Sequence, residues 1–125
     1  MKRIIFAGLI LMTSMVALAQ DLMDDGSVVI LPLEAQACNL PSAPPPIPDP
    51  PVKEDLLKAQ KFIKQFQADM EVYRTCVNKD AESGELSKGN LMAIANAHDY
   101  SVDMEERVAT MFNDALKVYK ANLAK

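Results

Sequence analysis

Residues 38–78 read CNLPSAPPPIPDPPVKEDLLKAQKFIKQFQADMEVYRTCVN, and this stretch decides the fold. Its outer landmarks are the only two cysteines of the chain, Cys38 and Cys76, with seven of the eight prolines between them. From Asn39 to Pro51, seven prolines fall within thirteen residues. Each proline fixes φ near about −65° and removes an amide donor, which leaves polyproline II as the natural conformation. That helix has three residues per turn, so Pro41, Pro44, Ile47 and Pro50 share one face. A face packed on protein would have this spacing. A solvated linker has the same composition and is the competing reading.

The residues that follow favour packing. Asp49 is a candidate N-cap, Pro50 a candidate first helical residue, and Glu54 and Asp55 suit a first helical turn. Leu56, Ala59, Ile63, Phe66, Met70, Tyr73 and Val77 then alternate spacings of three and four, an unbroken apolar seam. Phe62, Asp69 and Cys76 form a parallel row that widens the face. A polyproline stretch from Cys38 to Pro48 spans about 31 Å, at about 3.1 Å per residue. A helix from Pro50 to Cys76 rises about 39 Å. An arm that turns at Asp49 and runs back along the helix therefore brings Cys38 to Cys76. The expected arm contacts are Pro41, Pro44 and Ile47 on Phe66 and Tyr73.

Helix 1 is expected to end within Asn78–Gly84, with Gly84 supplying a left-handed C-terminal residue. Ser87 is the expected N-cap of helix 2, with Ser83 an alternative. The second apolar face is traced through Leu91, Ile94 or Ala95, His98, Val102, Glu105, Val108, Phe112, Ala115, Tyr119 and Leu123. His98, Ser101 and Glu105 interrupt it. A short connection between helices of similar length predicts an all-α fold, an antiparallel two-helix hairpin with a polyproline II arm packed on helix 1 and tied by one disulfide. Helical residues 52–125 and the Pro-rich arm 38–51 are its parts, and residues 20–37 are expected to be extended or poorly ordered. Within that segment, Asp21–Gly26 reads as loop. Val28–Leu33 is an apolar run whose Pro32 argues against a central strand.

The N-terminus carries Lys2 and Arg3, an apolar run from Ile4 to Ala19, and Ala17-Leu18-Ala19 before Gln20. That is the layout of a secretory signal peptide over residues 1–19. A single anchoring span competes, but the run is shorter than the roughly 20 residues a span needs, and Asp21, Asp24 and Asp25 follow at once. No cysteine stands at the cut to receive lipid. Removing Lys2 and Arg3 with the leader takes the net charge from −4 to −6. An acidic chain of this kind does not suit a nucleic-acid backbone or an anionic membrane surface. In an exported chain, two cysteines are most simply one disulfide; an intermolecular bridge and two free thiols are the alternatives. No CxxC pair is present to support redox catalysis.

Chemistry has little to work with. His98 is the single histidine; Asp99 and Asp103 lie near the same helical turn, but only Asp103 neighbours it by spacing. His98 with Asp103 is thus a weak metal candidate that needs another ligand from elsewhere. Hydrogen bonding to arm carbonyls is an alternative use for His98, Ser101 or Asn96. Met70, Met92, Met104 and Met111 lack MxM or MxxM clustering, so core filling outweighs copper binding. No phosphate loop or Ser–His–Asp order is present, which points away from an enzyme.

One further pattern is the order C-x-x-P (Cys38-Asn39-Leu40-Pro41), a proline run closing on Ile47-Pro48-Asp49, a helix closing on Tyr73-Arg74-Thr75-Cys76, then Val102-Asp103-Met104-Glu105, Phe112-Asn113 and Tyr119-Lys120. This order resembles small uncharacterised exported proteins of proteobacteria over roughly residues 38–121. Pro50 and Pro51 stand where small polar residues are expected in that group. The resemblance implies a periplasmic location and transfers no activity. The expectation is an exported, non-enzymatic structural or protein-interaction module of the bacterial envelope, without a cofactor. Its partner would be a second copy or another envelope protein, with Leu57, Met92, Met111 and Leu116 as candidate contact residues or Val28–Leu33 adding as a strand. The alternative expectation is a periplasmic small-ligand or metal-binding protein.

Overall fold

The computed structural model describes residues 22–125. The expected leader at 1–19, its cut before Gln20, and Asp21 lie outside the described residues. Three helices make up the fold: α1 (Leu33–Gln36), α2 (Lys53–Asn78) and α3 (Lys88–Leu123), with no strand among the described residues beyond an isolated bridge between Leu22 and Val28. The short α1 is an addition to the two helices expected. It follows Pro32, whose fixed φ suits the residue flanking a helix start, and its Ala35 is buried against α2.

α2 begins three residues later than the proline signals suggested. Asp49 is not its N-cap and Pro50 is not helical; Val52 flanks the start, and the Asp55 carboxylate accepts from the Val52 N–H at 3.0 Å. The cause is the Pro50-Pro51 pair. A proline keeps the residue before it out of the α region, so Asp49 and Pro50 are both barred from helical geometry. At the other end α2 stops at Asn78 with Lys79 still right-handed, so Gly84 is not its cap. Gly84 instead takes φ of 76° inside the connection to α3. Ser87 caps α3 as its sequence suggested: its hydroxyl accepts from Asn90 N–H at 3.0 Å, and Asn90 Oδ1 accepts from Ser87 N–H at 3.4 Å.

The seam of α2 lies inside. Leu56, Ala59, Phe66, Met70, Tyr73 and Val77 are buried, and Ile63 packs on the same core. The neighbouring row does not widen it. Phe62 is 43% exposed beneath the ammonium of Lys58, and Asp69 faces solvent, where it accepts from Gln65.

α3 packs along α2 through the expected Ile94 and Val108, with Val102, Glu105, Phe112, Ala115 and Tyr119 half-buried, but the centre of its buried face shifts to Ser101. Ile94, Ser101 and Val108 are buried, with Ala97, Met104 and Met111 packed beside them. His98 is exposed, and Leu91 and Leu123 are 41% and 67% exposed. The reason is Ser101, a polar residue in a core position. Its hydroxyl donates to the His98 carbonyl at 2.6 Å and accepts from Arg74 at 3.4 Å, so its burial leaves nothing unpaired. Hydrophobic periodicity cannot register such a residue. Beside it Arg74 pairs with Glu105 across the helices at 3.3 Å.

Candidate functional site

The feature that sets this molecule apart from a bare helix pair is the segment that crosses it between the cysteines. Cys38 and Cys76 form the disulfide, with Cα atoms 5.9 Å apart. Cys76 sits near the C-terminal end of α2, and Cys38 directly follows α1. The bridge therefore holds the start of the Pro-rich segment to one end of α2, while the chain itself delivers its other end to the start of the same helix. Both ends are fixed without any help from packing.

Between those fixed ends, exposure varies with a period of three. Cys38, Pro41, Pro44 and Ile47 are half-buried, and every residue between them is exposed. The register breaks at the bend over Asp49 and Pro50. Pro50, expected on the same face, is exposed, and Pro51 is buried in its place. The segment borders both long helices. Pro45, Ile47 and Pro48 line a hollow with Lys58, Ala59 and Phe62 of α2. On the other flank Ala43 and Pro44 line one with Tyr100, Met104 and Met111 of α3. Ile47, Pro48 and Pro51 meet Met111, Ala115 and Val118 farther along that helix. Phe66 and Tyr73 are buried in the central core, the same core against which Cys38 packs.

The other residues singled out in the sequence are dispersed. His98 and Asp103 are both exposed on α3, and no three His, Cys, Asp or Glu side chains among the described residues are grouped to hold a metal ion. Ser101 does not serve the arm, because Arg74 and its own helix occupy its hydroxyl. Met70 is fully buried and Met104 and Met111 pack on the core, while Met92 is 42% exposed. Of the candidate contact residues, Leu57 and Met92 face solvent, and Met111 and Leu116 are half-buried. Met92 and Leu116 are 24 residues apart on one helix, about 36 Å, so the four do not share a patch.

Sequence reading missed a second constellation at the start of α3. The Lys88 and Gly89 N–H groups donate to Asp25 Oδ2 at 3.2 Å and Ser27 Oγ at 2.9 Å. Asn90 Nδ2 donates to the Ile30 carbonyl at 2.8 Å. The hydroxyl and the N–H of Ser27 both donate to Asp25, and with Lys88 they hold its carboxyl below the usual carboxylate range. An Asp-Gly-Ser run signals a turn, but nothing local signals that the turn caps a helix more than sixty residues away. No protein-family model, curated protein or solved structure matches the chain.

Proposed function

We propose that the chain is an exported, non-enzymatic structural or protein-interaction module of the bacterial envelope. In this reading α2 and α3 form an antiparallel hairpin, and residues 38–51 lie along it as a polyproline II arm stapled by the disulfide. The observation that carries the reading is the three-residue alternation of burial from Cys38 to Ile47. It is the period of polyproline II, and it spends one face of the arm on the helices while leaving Pro45, Pro46 and Pro48 exposed along the rims of the hollows beside α2 and α3. An arm fixed at both ends presents those residues without the ordering cost that a free proline-rich linker incurs on binding. Export supplies the oxidising compartment that such a staple needs.

Crosslinking in intact envelopes, followed by mass spectrometry, tests this function. Adducts between the arm or its flanking hollows and one envelope protein, or a second copy, are the expected result. A chain that stays monomeric by light scattering at high concentration, and gives no reproducible adduct, removes the basis for the proposal. Thiol labelling tests the arm separately. Cys38 and Cys76 should stay unlabelled in the native protein until a reductant is added.

A further inference from the structure

Residues 22–37 cover a part of α3 that α2 does not reach. Arg74 of α2 meets Ser101 and Glu105, and Gln60 through Gln67 border Phe112. From Arg74 to the end of α2 is about 6 Å of helix, whereas from Ser101 back to the start of α3 is about 20 Å. About the first two and a half turns of α3 thus extend past the end of α2. Ala93 and Ile94 are nevertheless buried there, as is Gly89. Ile94 shares its cluster with Val77 at the end of α2, with Ala81 and Leu86 of the connection and with Leu31 and Ala35 of the segment, and Gly89 lies against the Val28 carbonyl.

The cover has two kinds of attachment. At its far end the attachment is polar: Asp25 and Ser27 take the free N–H groups of Lys88 and Gly89, and the Ile30 carbonyl takes Asn90. The turn that presents them is closed by the Met23 N–H donating to Ser27 O and by Gly26, whose φ of 79° favours glycine. Nearer the disulfide the attachment is apolar, with Leu31 and Ala35 on the cluster that contains Val77 and Ile94. Ala35 is the one fully buried apolar side chain of the segment; Met23, Val29, Leu31 and Pro32 are half-buried, and Leu22, Ile30 and Leu33 are 67%, 55% and 79% exposed. The backbone approach is close, since a Cβ on Gly89 would overlap the Val28 carbonyl.

We infer that residues 22–37 form a strap that opens as one unit, hinged at Cys38, while α2 and α3 stay packed. Segments held by few buried apolar contacts and by exposed hydrogen bonds occupy the low-stability end of a fold. Here the few contacts are collected in one continuous piece, and the disulfide stops at its boundary. When the strap lifts, the bridge keeps it tethered and keeps the Pro-rich segment beyond Cys38 in place. What it uncovers is the part of the Val77–Ile94 cluster that Leu31 and Ala35 cover, together with Gly89 and the open N-terminus of α3.

Native-state hydrogen exchange on the full disulfide-bonded protein, wild type against Asp25→Ala and Gly89→Ala, tests the unit. Asp25→Ala removes one cap, and Gly89→Ala wedges the strap away through its added methyl while favouring helix in α3. In both, the amides of Met23, Gln36 and Cys38 together with Lys88 and Gly89 should exchange faster by a common factor, about fivefold or more for a lost cap. Amides in the middle of α2 and α3 should keep wild-type rates. Acceleration confined to Lys88 and Gly89 would reduce the contact to a local cap and overturn the strap. Acceleration of mid-helix amides by the same factor would show that the segment opens only with the whole fold, and would overturn it equally.

Discussion

At the scale of single residues, the interior depends on a few positions. Met70 is fully buried, flanked in sequence by Asp69 and Glu71 on the solvent side. Truncating it leaves a cavity that neighbouring helices can only partly close. Met70→Ala is expected to lower stability by about 2–5 kcal/mol in urea titration. Val72→Ala, at a position 70% exposed, should stay within about 0.5 kcal/mol. Ser101→Ala removes the hydroxyl between His98 O and Arg74, at an expected cost of about 1 kcal/mol. Asp25 adds a dependence on pH. Its folded-state pKa lies below the ordinary 3.8, mainly through the Ser27 hydrogen bonds and secondarily through Lys88. Its contribution is therefore complete above that ordinary value and is lost as pH falls through the lower, folded-state one. Amide exchange at Lys88 and Gly89 should quicken in wild type on acidification through that range, relative to the middle of α3. In Asp25→Ala this extra change should vanish, and its persistence would assign the effect to another group.

At the scale of elements, the Pro-rich segment is the informative case. Pro44 is half-buried beside α3 and Pro45 is exposed. Replacing either with Ser frees the unfolded chain to a similar degree, by about 0.4–1 kcal/mol. Pro44→Ser gives up more packed apolar area than Pro45→Ser, because Pro45 is exposed at the rim of its hollow, so the difference between the two variants in urea measures the arm's grip on the helices. Equal losses would mean that the segment is held by its ends alone. The same contrast explains what was legible from sequence. The α2 seam could be read because each of its apolar residues is buried for a reason that recurs along the helix. Ser87 could be read because a cap is satisfied within three residues. The α3 face could be read only in part: Ile94 and Val108 are buried as their spacing indicates, but Ser101 owes its burial to Arg74, a partner on another helix. The late start of α2 was legible in principle: Pro50 before Pro51 forbids the helical conformation that a lone Pro50 would have favoured. Of the strap, the apolar contact of Val28–Leu33 with the helices could be expected if the segment is ordered. Its α1 and the caps on α3 could not, since α1 is four residues long and the caps come from Asp25 and Ser27, distant in the chain.

At the scale of the whole molecule, the disulfide divides the chain into parts that respond differently to its loss. Closing a loop over a sequence separation of 38 restricts the unfolded chain by about 4 kcal/mol. A pair of long helices sharing one core has little stability to spare, so that constraint is a large share of the total. Yet most of the core lies within the helix pair: Phe66, Met70, Tyr73, Val77, Ile94 and Val108 share one cluster, to which the bridged segments add the buried Ala35 and the flanking Leu31 and Cys38. Reduction should thus act in two stages. In the double variant Cys38→Ser, Cys76→Ser, the Pro-rich segment and the strap lose their shared anchor and exchange their amides quickly in native buffer. The helix pair should persist there, by circular dichroism, and melt in urea about 4 kcal/mol less stable than the oxidised protein. A variant that loses helix and arm protection in one concerted step, already in native buffer, would mean that the arm is an integral layer of the core. A variant whose arm amides remain as protected as in the oxidised protein would mean that packing along Pro41, Pro44 and Ile47 holds the segment without the bridge. The bridge would then serve only against unfolding, and the surface presented by Pro45, Pro46 and Pro48 would survive in a reducing compartment as well as in an oxidising one.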